Sequence, residues 1–190
     1  MTSVVIFAGG KSSRMGRDKA LLPWEGYHSM AEFQYRKLLH SFDTVYISSK
    51  TDKFDFDAPI LRDLYPAHSP MVALASVFAQ TQEEALFVIS VDMPLLSDKE
   101  IQILVEAYEK STDTPDILIA RSPRGLEPLC GIYRRTILPH VEKLIKEDRH
   151  RMRALLESVS TQIVDFDTAL PFSNLNTPEE YQLCYRPDRG

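Results

Sequence analysis

A short apolar run, Ser3–Ala8, delivers the chain into AGGKSSRMGRDK, where Gly9, Gly10 and Gly16 stand among Lys11, Arg14, Arg17 and Lys19, with Asp18 as the lone acid. Glycine admits the positive-φ geometry that turns successive backbone N–H groups toward one point, so a strand ending in such a loop can hold an anion. The local positive charge makes a polyphosphate the natural guest; the plainer reading is a tight turn with a solvated basic face. The order is neither that of a Walker A loop, since Lys19 is followed by Ala20, nor the GxGxxG dinucleotide fingerprint. A second position of interest is Asp92, placed where the apolar run Ala85–Val91 ends and Pro94 turns the chain. A carboxylate beside phosphates suits Mg²⁺, a hard cation that takes one or two protein carboxylates, phosphate oxygens and several waters. By position alone Asp92 reads equally as a cap or a surface acid. Asp63 also follows a short apolar stretch, Pro59-Ile60-Leu61-Arg62. Toward the C-terminus, Asn174-Leu175-Asn176 precedes Thr177-Pro178-Glu179-Glu180. The last four residues read as a capped helix start, which leaves the asparagines, with amides that both donate and accept, without a local explanation.

Such positions face one another only if a sheet carries them. Runs of strand length occur at Ser3–Ala8, Thr44–Ser48, Ala85–Val91, Asp116–Ala120, Pro128–Arg134 and Thr161–Phe166, which predicts six strands. Helix starts with capping-box spacing stand at Ser29 with Glu32, Ser97 with Glu100, and Thr177 with Glu180. After Ser97, Ile101, Leu104, Val105 and Tyr108 form one apolar face. Further helices are expected at Met71–Ala79, Thr136–Lys146 and Arg151–Ser158. Strand and helix in alternation argue α/β with a mostly parallel sheet, and no linker or repeat divides residues 1–190, so one domain is expected. Ligands of open α/β sheets collect outside the carboxyl ends of the strands, so Asp92 and the loop after Ala8 should share a crevice.

Composition narrows the function classes. The 190 residues are 44% hydrophobic and 26% charged, enough apolar material for a core. No apolar run approaches the ~20 residues of a membrane span, and the N-terminus reads as a core strand rather than a signal peptide, so a cytoplasmic protein with no membrane partner is expected. A net charge of −5 argues against a nucleic-acid partner. Cys130 and Cys184, without CxxC spacing, read as buried thiols, and five histidines without HxxxH or HExxH spacing support neither a zinc site nor a histidine nucleophile.

The stretch Phe7-Ala8-Gly9-Gly10-Lys11-Ser12-Ser13-Arg14-Met15-Gly16-Arg17-Asp18-Lys19-Ala20-Leu21-Leu22 resembles the signature of molybdenum cofactor guanylyltransferases, within the larger nucleotidyltransferase family. The Asp92-Met93-Pro94-Leu95 context and the Asn174-Leu175-Asn176-Thr177-Pro178 ending extend the resemblance over most of the chain. It implies a Rossmann-like three-layer sandwich with a mostly parallel, mixed central sheet, and the transfer of GMP from GTP to molybdopterin with release of pyrophosphate. It also implies Mg²⁺ on Asp92 and charge neutralisation by Lys19. The nucleotide would lie against Phe7, Ala8, Gly9, Gly10, Lys19, Ser48, Asp63 and Asp92, and the pterin against Arg14, Asn174 and Asn176. Delivery of the product implies docking with molybdoenzymes or their chaperones. The sequence departs from the family at Ser69-Pro70-Met71-Val72-Ala73, where a GPLxG turn is usual, and at Ser48, where some members carry asparagine. The alternatives are a cytidylyl enzyme on the same pterin, a sugar-phosphate nucleotidyltransferase, and a GTP-binding module without catalysis. Arg134, Arg135, Arg149, Arg151 and Arg153 read as solvated charge rather than site residues.

Overall fold

The computed structural model describes residues 3–9, 16–65 and 69–185. Its strands are β1 (Ser3–Phe7), β2 (Thr44–Ser49), β3 (Ile60–Arg62), β4 (Ala85–Ser90), β5 (Ile117–Ser122), β6 (Gly125–Arg134) and β7 (Thr161–Asp165). Its α-helices are α1 (Met30–Leu38), α2 (Pro70–Gln80), α3 (Asp98–Glu109), α4 (Leu138–Lys146), α5 (Met152–Ser158) and α6 (Pro178–Cys184). The strands form one sheet in the order β3-β2-β1-β4-β6-β5-β7. All run parallel except β6, which is antiparallel to both β4 and β5.

The central strands are apolar on both sides because both sides are covered. Val4 and Ile6 face a core built with Met30 and Leu38 of α1 and Ile101 and Leu104 of α3. Val5 and Phe7 face the opposite core, with Leu74 and Phe78 of α2, Val141 of α4 and Leu155 of α5. The result is the three-layer α/β sandwich the sequence implies. Expected caps form: the hydroxyls of Ser29 and Thr177 accept from the backbone N–H groups of Glu32 (3.1 Å) and Glu180 (3.2 Å). Ser69 does the same for Val72 (3.2 Å), with Pro70 as the first residue of α2, so the turn that lacks both glycines is resolved as a serine-capped helix start.

Three expectations need correction. The sheet has a seventh strand, β3, beyond the six expected: only three residues long, it lies at the sheet edge beyond β2 and follows the mostly charged stretch 50–57. The helix expected from Thr136 begins as a 3-10 turn, Arg135–Ile137, and becomes α-helical at Leu138. Cys130 is fully buried, and burial pushes its thiol well above the usual range, but Cys184 is only partly covered because α6 buries none of its residues completely.

β6 breaks register with β5. Gly131 pairs with Ile119, yet the next residue of β5, Ala120, pairs with Glu127, so Pro128, Leu129 and Cys130 bulge away from β5 while Cys130 still pairs with Ile89 of β4. Pro128, having no N–H, loses nothing by leaving the ladder, and the buried Tyr133 hydroxyl donates to its carbonyl.

Arg135, grouped with the solvated arginines by sequence, is instead a brace. Its guanidinium donates to the carbonyls of Phe78 (2.7 Å), Thr81 (2.8 Å) and Glu83 (3.0 Å), closing the end of α2 against the turn into β4. Arg135→Met removes three charge-assisted bonds and leaves three carbonyls with less than their share; we expect a loss of about 2–4 kcal/mol, read as a lower urea midpoint with unchanged slope.

Candidate active site

β1 and β4 lie side by side, in the parallel register Phe7 to Ser90, so the residues that follow them emerge at the same edge of the sheet. Ala8 and Gly9 leave β1 there, and the Ala8 N–H donates to the Ser48 carbonyl at 2.9 Å, keeping the chain beside β2. Asp92 leaves β4 at the same level and is 8% exposed. The segment after it is tethered by α1: Gln34 Nε2 donates to the Met93 carbonyl at 2.9 Å, and Lys37 Nζ donates to the carbonyls of Pro94 (3.3 Å) and Leu96. Burial pulls the Lys37 ammonium below the ordinary lysine value, and the nearby carboxylates of Asp98 and Glu100 oppose that shift.

Lys19 opens a short 3-10 turn, Lys19–Leu21, whose start is capped by Asp18: its Oδ1 accepts from Ala20 N at 3.0 Å. That cap aims Lys19 across the crevice, where its Nζ lies 2.5 Å from Asp92 Oδ2 and 2.8 Å from Asn176 Oδ1. The other Asp92 oxygen accepts from the Ser90 hydroxyl at 2.6 Å. Asn176 is fixed from its own side. Its N–H donates to the Glu180 carboxylate at 2.7 Å, and the Leu175 N–H donates to the Asp92 carbonyl at 2.9 Å, so the C-terminal segment is laced to the end of β4. Asn174 lies next to this knot, its carbonyl 3.5 Å from Asn176 Nδ2.

Two abutting cavities open at this edge of the sheet, with Lys19 on the wall of the smaller one. The smaller, about 200 Å³, is lined by Phe7, Ala8, Gly9, Asp18, Lys19, Ala20, Ser90, Val91, Asp92 and Leu129. The larger, about 350 Å³, runs over β2 toward β3 and α2 and is lined by Phe7, Gly9, Ser48, Lys50, Asp63, Ser69, Pro70, Ala73, Ser90 and Leu129. Phe7, Gly9, Ser90 and Leu129 belong to both. The arrangement gives an elongated ligand a polar end, with an ammonium and a carboxylate, and a roomier end with Ser48, Lys50 and Asp63.

Of the sequence-proposed residues, Phe7, Ala8, Gly9, Lys19, Ser48, Asp63 and Asp92 thus line one continuous crevice, and Asn176 touches it through Lys19. Gly10 and Arg14 lie outside the described residues. Sequence reasoning did not single out Lys50, Lys53, Ser90 or Leu129. Ser90 stood in plain view as the polar interruption in an otherwise apolar strand. Leu129 had no signal, because it enters the crevice only through the β6 bulge.

The donor chemistry around Asp92 fits a hard divalent cation held mainly by phosphate. A single buried carboxylate is present with a hydroxyl behind it, and the described residues contain no cluster of three or more His, Cys, Asp or Glu side chains able to cage a metal. No described helix is long and apolar enough to cross a membrane.

Comparison with known proteins agrees with this geometry. The profile of the MobA-like NTP transferase domain family matches residues 4–163. A molybdenum cofactor guanylyltransferase of Campylobacter jejuni is 33% identical over 180 residues, covering 94% of this chain and 92% of the relative. One from Helicobacter pylori is 32% identical over 186 residues, covering 95% and 86%. Among solved structures, a protein of Aquifex aeolicus superposes with a TM-score of 0.78 at 28% identity, covering 93% of this chain and 94% of that one. The molybdopterin-guanine dinucleotide biosynthesis protein A of Archaeoglobus fulgidus shares the fold, with a TM-score of 0.81 at 19% identity and 96% of each chain covered. With its glycine-rich loop, its mixed sheet and a matched segment that takes in both Lys19 and Asp92, the chain belongs to the MobA-like nucleotidyltransferase family.

Proposed function

We propose that this chain, as one nucleotidyltransferase domain, transfers GMP from GTP to molybdopterin and releases pyrophosphate. The observation that carries the reading is the meeting of Lys19, Asp92 and Asn176 at the carboxyl edge of β1 and β4, in a chain a third identical to guanylyltransferases over almost its whole length. GTP lies along the crevice with its phosphates in the smaller lobe and its nucleoside in the larger. Gly9 and the Ala8 backbone, with Gly10 assigned on sequence alone, approach the phosphates; Ser48 and Asp63 meet the nucleoside. Asn174 and Asn176, with Arg14 assigned on sequence alone, receive the pterin, on the far side of Lys19 from the nucleoside.

A terminal phosphate oxygen of molybdopterin attacks the α-phosphorus in line. The new P–O bond forms as the bond to the β-phosphate bridging oxygen breaks, and that electron pair departs with pyrophosphate. No protein nucleophile takes part, so the chain's work is placement and charge. Lys19 moves its ammonium from Asp92 onto the phosphate oxygens as they gain charge, while Asn176 keeps the lysine within reach of the acceptor side. Asp92, oriented by Ser90, is the residue that would hold Mg²⁺, which when bound supplies further neutralisation of the triphosphate. Leu129 and Phe7 wall the junction of the lobes with apolar surface and keep water from competing with the pterin phosphate. The substrates belong to the cytoplasm, and the product requires hand-over to molybdoenzymes or their chaperones.

The test is pyrophosphate release by the purified chain with Mg²⁺ and molybdopterin, with GTP, CTP and ATP compared. Release with GTP alone, lost when pterin or metal is omitted, is the expected result. Release with CTP instead would retain the chemistry and overturn the base assignment. GTP binding without release under any condition would leave a binding module and sink the enzymatic reading.

A further inference from the structure

The smaller lobe, where the proposed function puts the triphosphate, holds an acid whose charge opposes that guest. Its described lining carries two carboxylates, Asp18 and Asp92, against one ammonium, Lys19. A divalent cation answers for Asp92, but Asp18 sits beside Lys19 in sequence and its charge is wrong for a polyphosphate neighbour. The structure supplies the counter-charge from behind the lobe. Lys53, in the chain between β2 and β3, extends its ammonium to 2.5 Å from Asp18 Oδ2 and donates to the Ala8 carbonyl at 3.0 Å. Its charge rests 5.5 Å from the centre of the Phe54 ring, which holds the side chain on this course. The Lys53 side chain is 20% exposed and that of Asp18 36%, so solvent screens the pair only in part.

We infer that Lys53 is a positioning residue of the phosphate subsite: it cancels the Asp18 carboxylate and clasps the chain on both sides of the glycine-rich loop. Two consequences come from the geometry. Ala8 and Asp18 bracket the loop, so one ammonium bonded to both fixes the separation of its ends. Asp18 in turn caps the 3-10 turn that aims Lys19, its two oxygens divided between Ala20 N–H and Lys53. Lys53 itself does not line the lobe and acts on the nucleotide through these partners.

The inference rests on the nucleotide reading, and affinity for Mg·GTP, measured by calorimetry on the full chain, separates the two. The unsubstituted chain must bind first; if it does not, the nucleotide reading fails and this inference with it. Given binding, Lys53→Met, which keeps most of the hydrocarbon stem, exposes an uncompensated Asp18 and should weaken Mg·GTP by about tenfold or more, an effect that shrinks as salt is raised. Asp18→Asn keeps the capping oxygen and leaves the Lys53 ammonium uncompensated, so alone it should tighten Mg·GTP binding rather than weaken it, and a weakening would count against the charge argument. The decisive variant is the double substitution Lys53→Met with Asp18→Asn, expected to recover affinity to within about threefold of the original, because the repulsion has been deleted and only the clasp on Ala8 and Asp18 stays lost. A purely structural lysine would give a double variant no better than Lys53→Met. That result, or a Lys53→Met chain that binds Mg·GTP as well as the original, overturns the inference. If Lys53→Met does not fold, Lys53→Gln takes its place in the same cycle.

Discussion

Asp92→Asn and Lys19→Met should each lower turnover by about 10²–10³-fold, the loss of roughly 3–4 kcal/mol that follows removal of one preorganised electrostatic group. The two side chains are 12% and 18% exposed and 2.5 Å apart, so neither charge is diluted by solvent. Both chains should remain folded. Asp92 holds the C-terminal segment by its backbone carbonyl, not its carboxylate, and Lys19 keeps Asn176 as a partner when the acid is gone. The two variants should differ in character. Asp92→Asn should require much more Mg²⁺ for its residual activity, whereas Lys19→Met should leave metal dependence nearly unchanged and lose rate. Turnover measured against Mg²⁺ concentration, with circular dichroism to establish folding, decides the matter. If either variant retains near-original turnover, the role given to that residue is wrong.

The largest effect on folding is expected at Gly131. A Cβ there would stand 2.1 Å from the Leu118 carbonyl oxygen and 2.7 Å from Ile119 Cα, both backbone atoms of β5. Rotamer changes cannot relieve such contacts; β5 and β6 would have to part just where Gly131 pairs with Ile119, next to the bulge. Overpacking of side chains commonly costs about 1–3 kcal/mol, and a clash with the backbone of a strand paired on both sides should exceed that range, enough that Gly131→Ala accumulates little folded chain. Gly9 provides the contrast, since a Cβ there meets nothing within 4 Å. Gly9→Ala should unfold within about 1 kcal/mol of the original protein. Urea unfolding of the two variants side by side checks the pair, and a Gly131→Ala chain as stable as Gly9→Ala would contradict the packing argument.

The parts of this molecule that follow from local rules were legible in the sequence. Val4-Val5-Ile6-Phe7 must be a buried strand, Ser97 with Glu100 must start a helix, and a glycine-rich basic loop after the first strand with an aspartate after the third expected one, which is β4, marks one edge of a parallel sheet. What stayed hidden depends on geometry between distant segments. β3 is only three residues long and takes its strand character from pairing with β2. Leu129 reaches the crevice because β6 skips three residues against β5, and nothing in Pro128-Leu129-Cys130 announces which strand will be left unpaired. Lys53 looks like any surface lysine in Lys50-Thr51-Asp52-Lys53 until the fold brings it under Ala8 and Asp18. Arg135 shows the converse, a residue whose charge suggested solvent and whose three carbonyl partners are backbone atoms.

The lysine that touches Asp92 and Asn176 joins positions 73 and 157 residues away along the chain. Closing loops of that length is among the slower and later events of folding, because their entropy must be spent before the contact returns anything. During synthesis, β1, β2 and β4 can assemble with Lys19 already facing Asp92, while Asn176 is still to be translated. The growing chain can therefore set Lys19 against Asp92 before Asn176 exists, and the three-way contact closes only once the segment that carries Asn176 has been made.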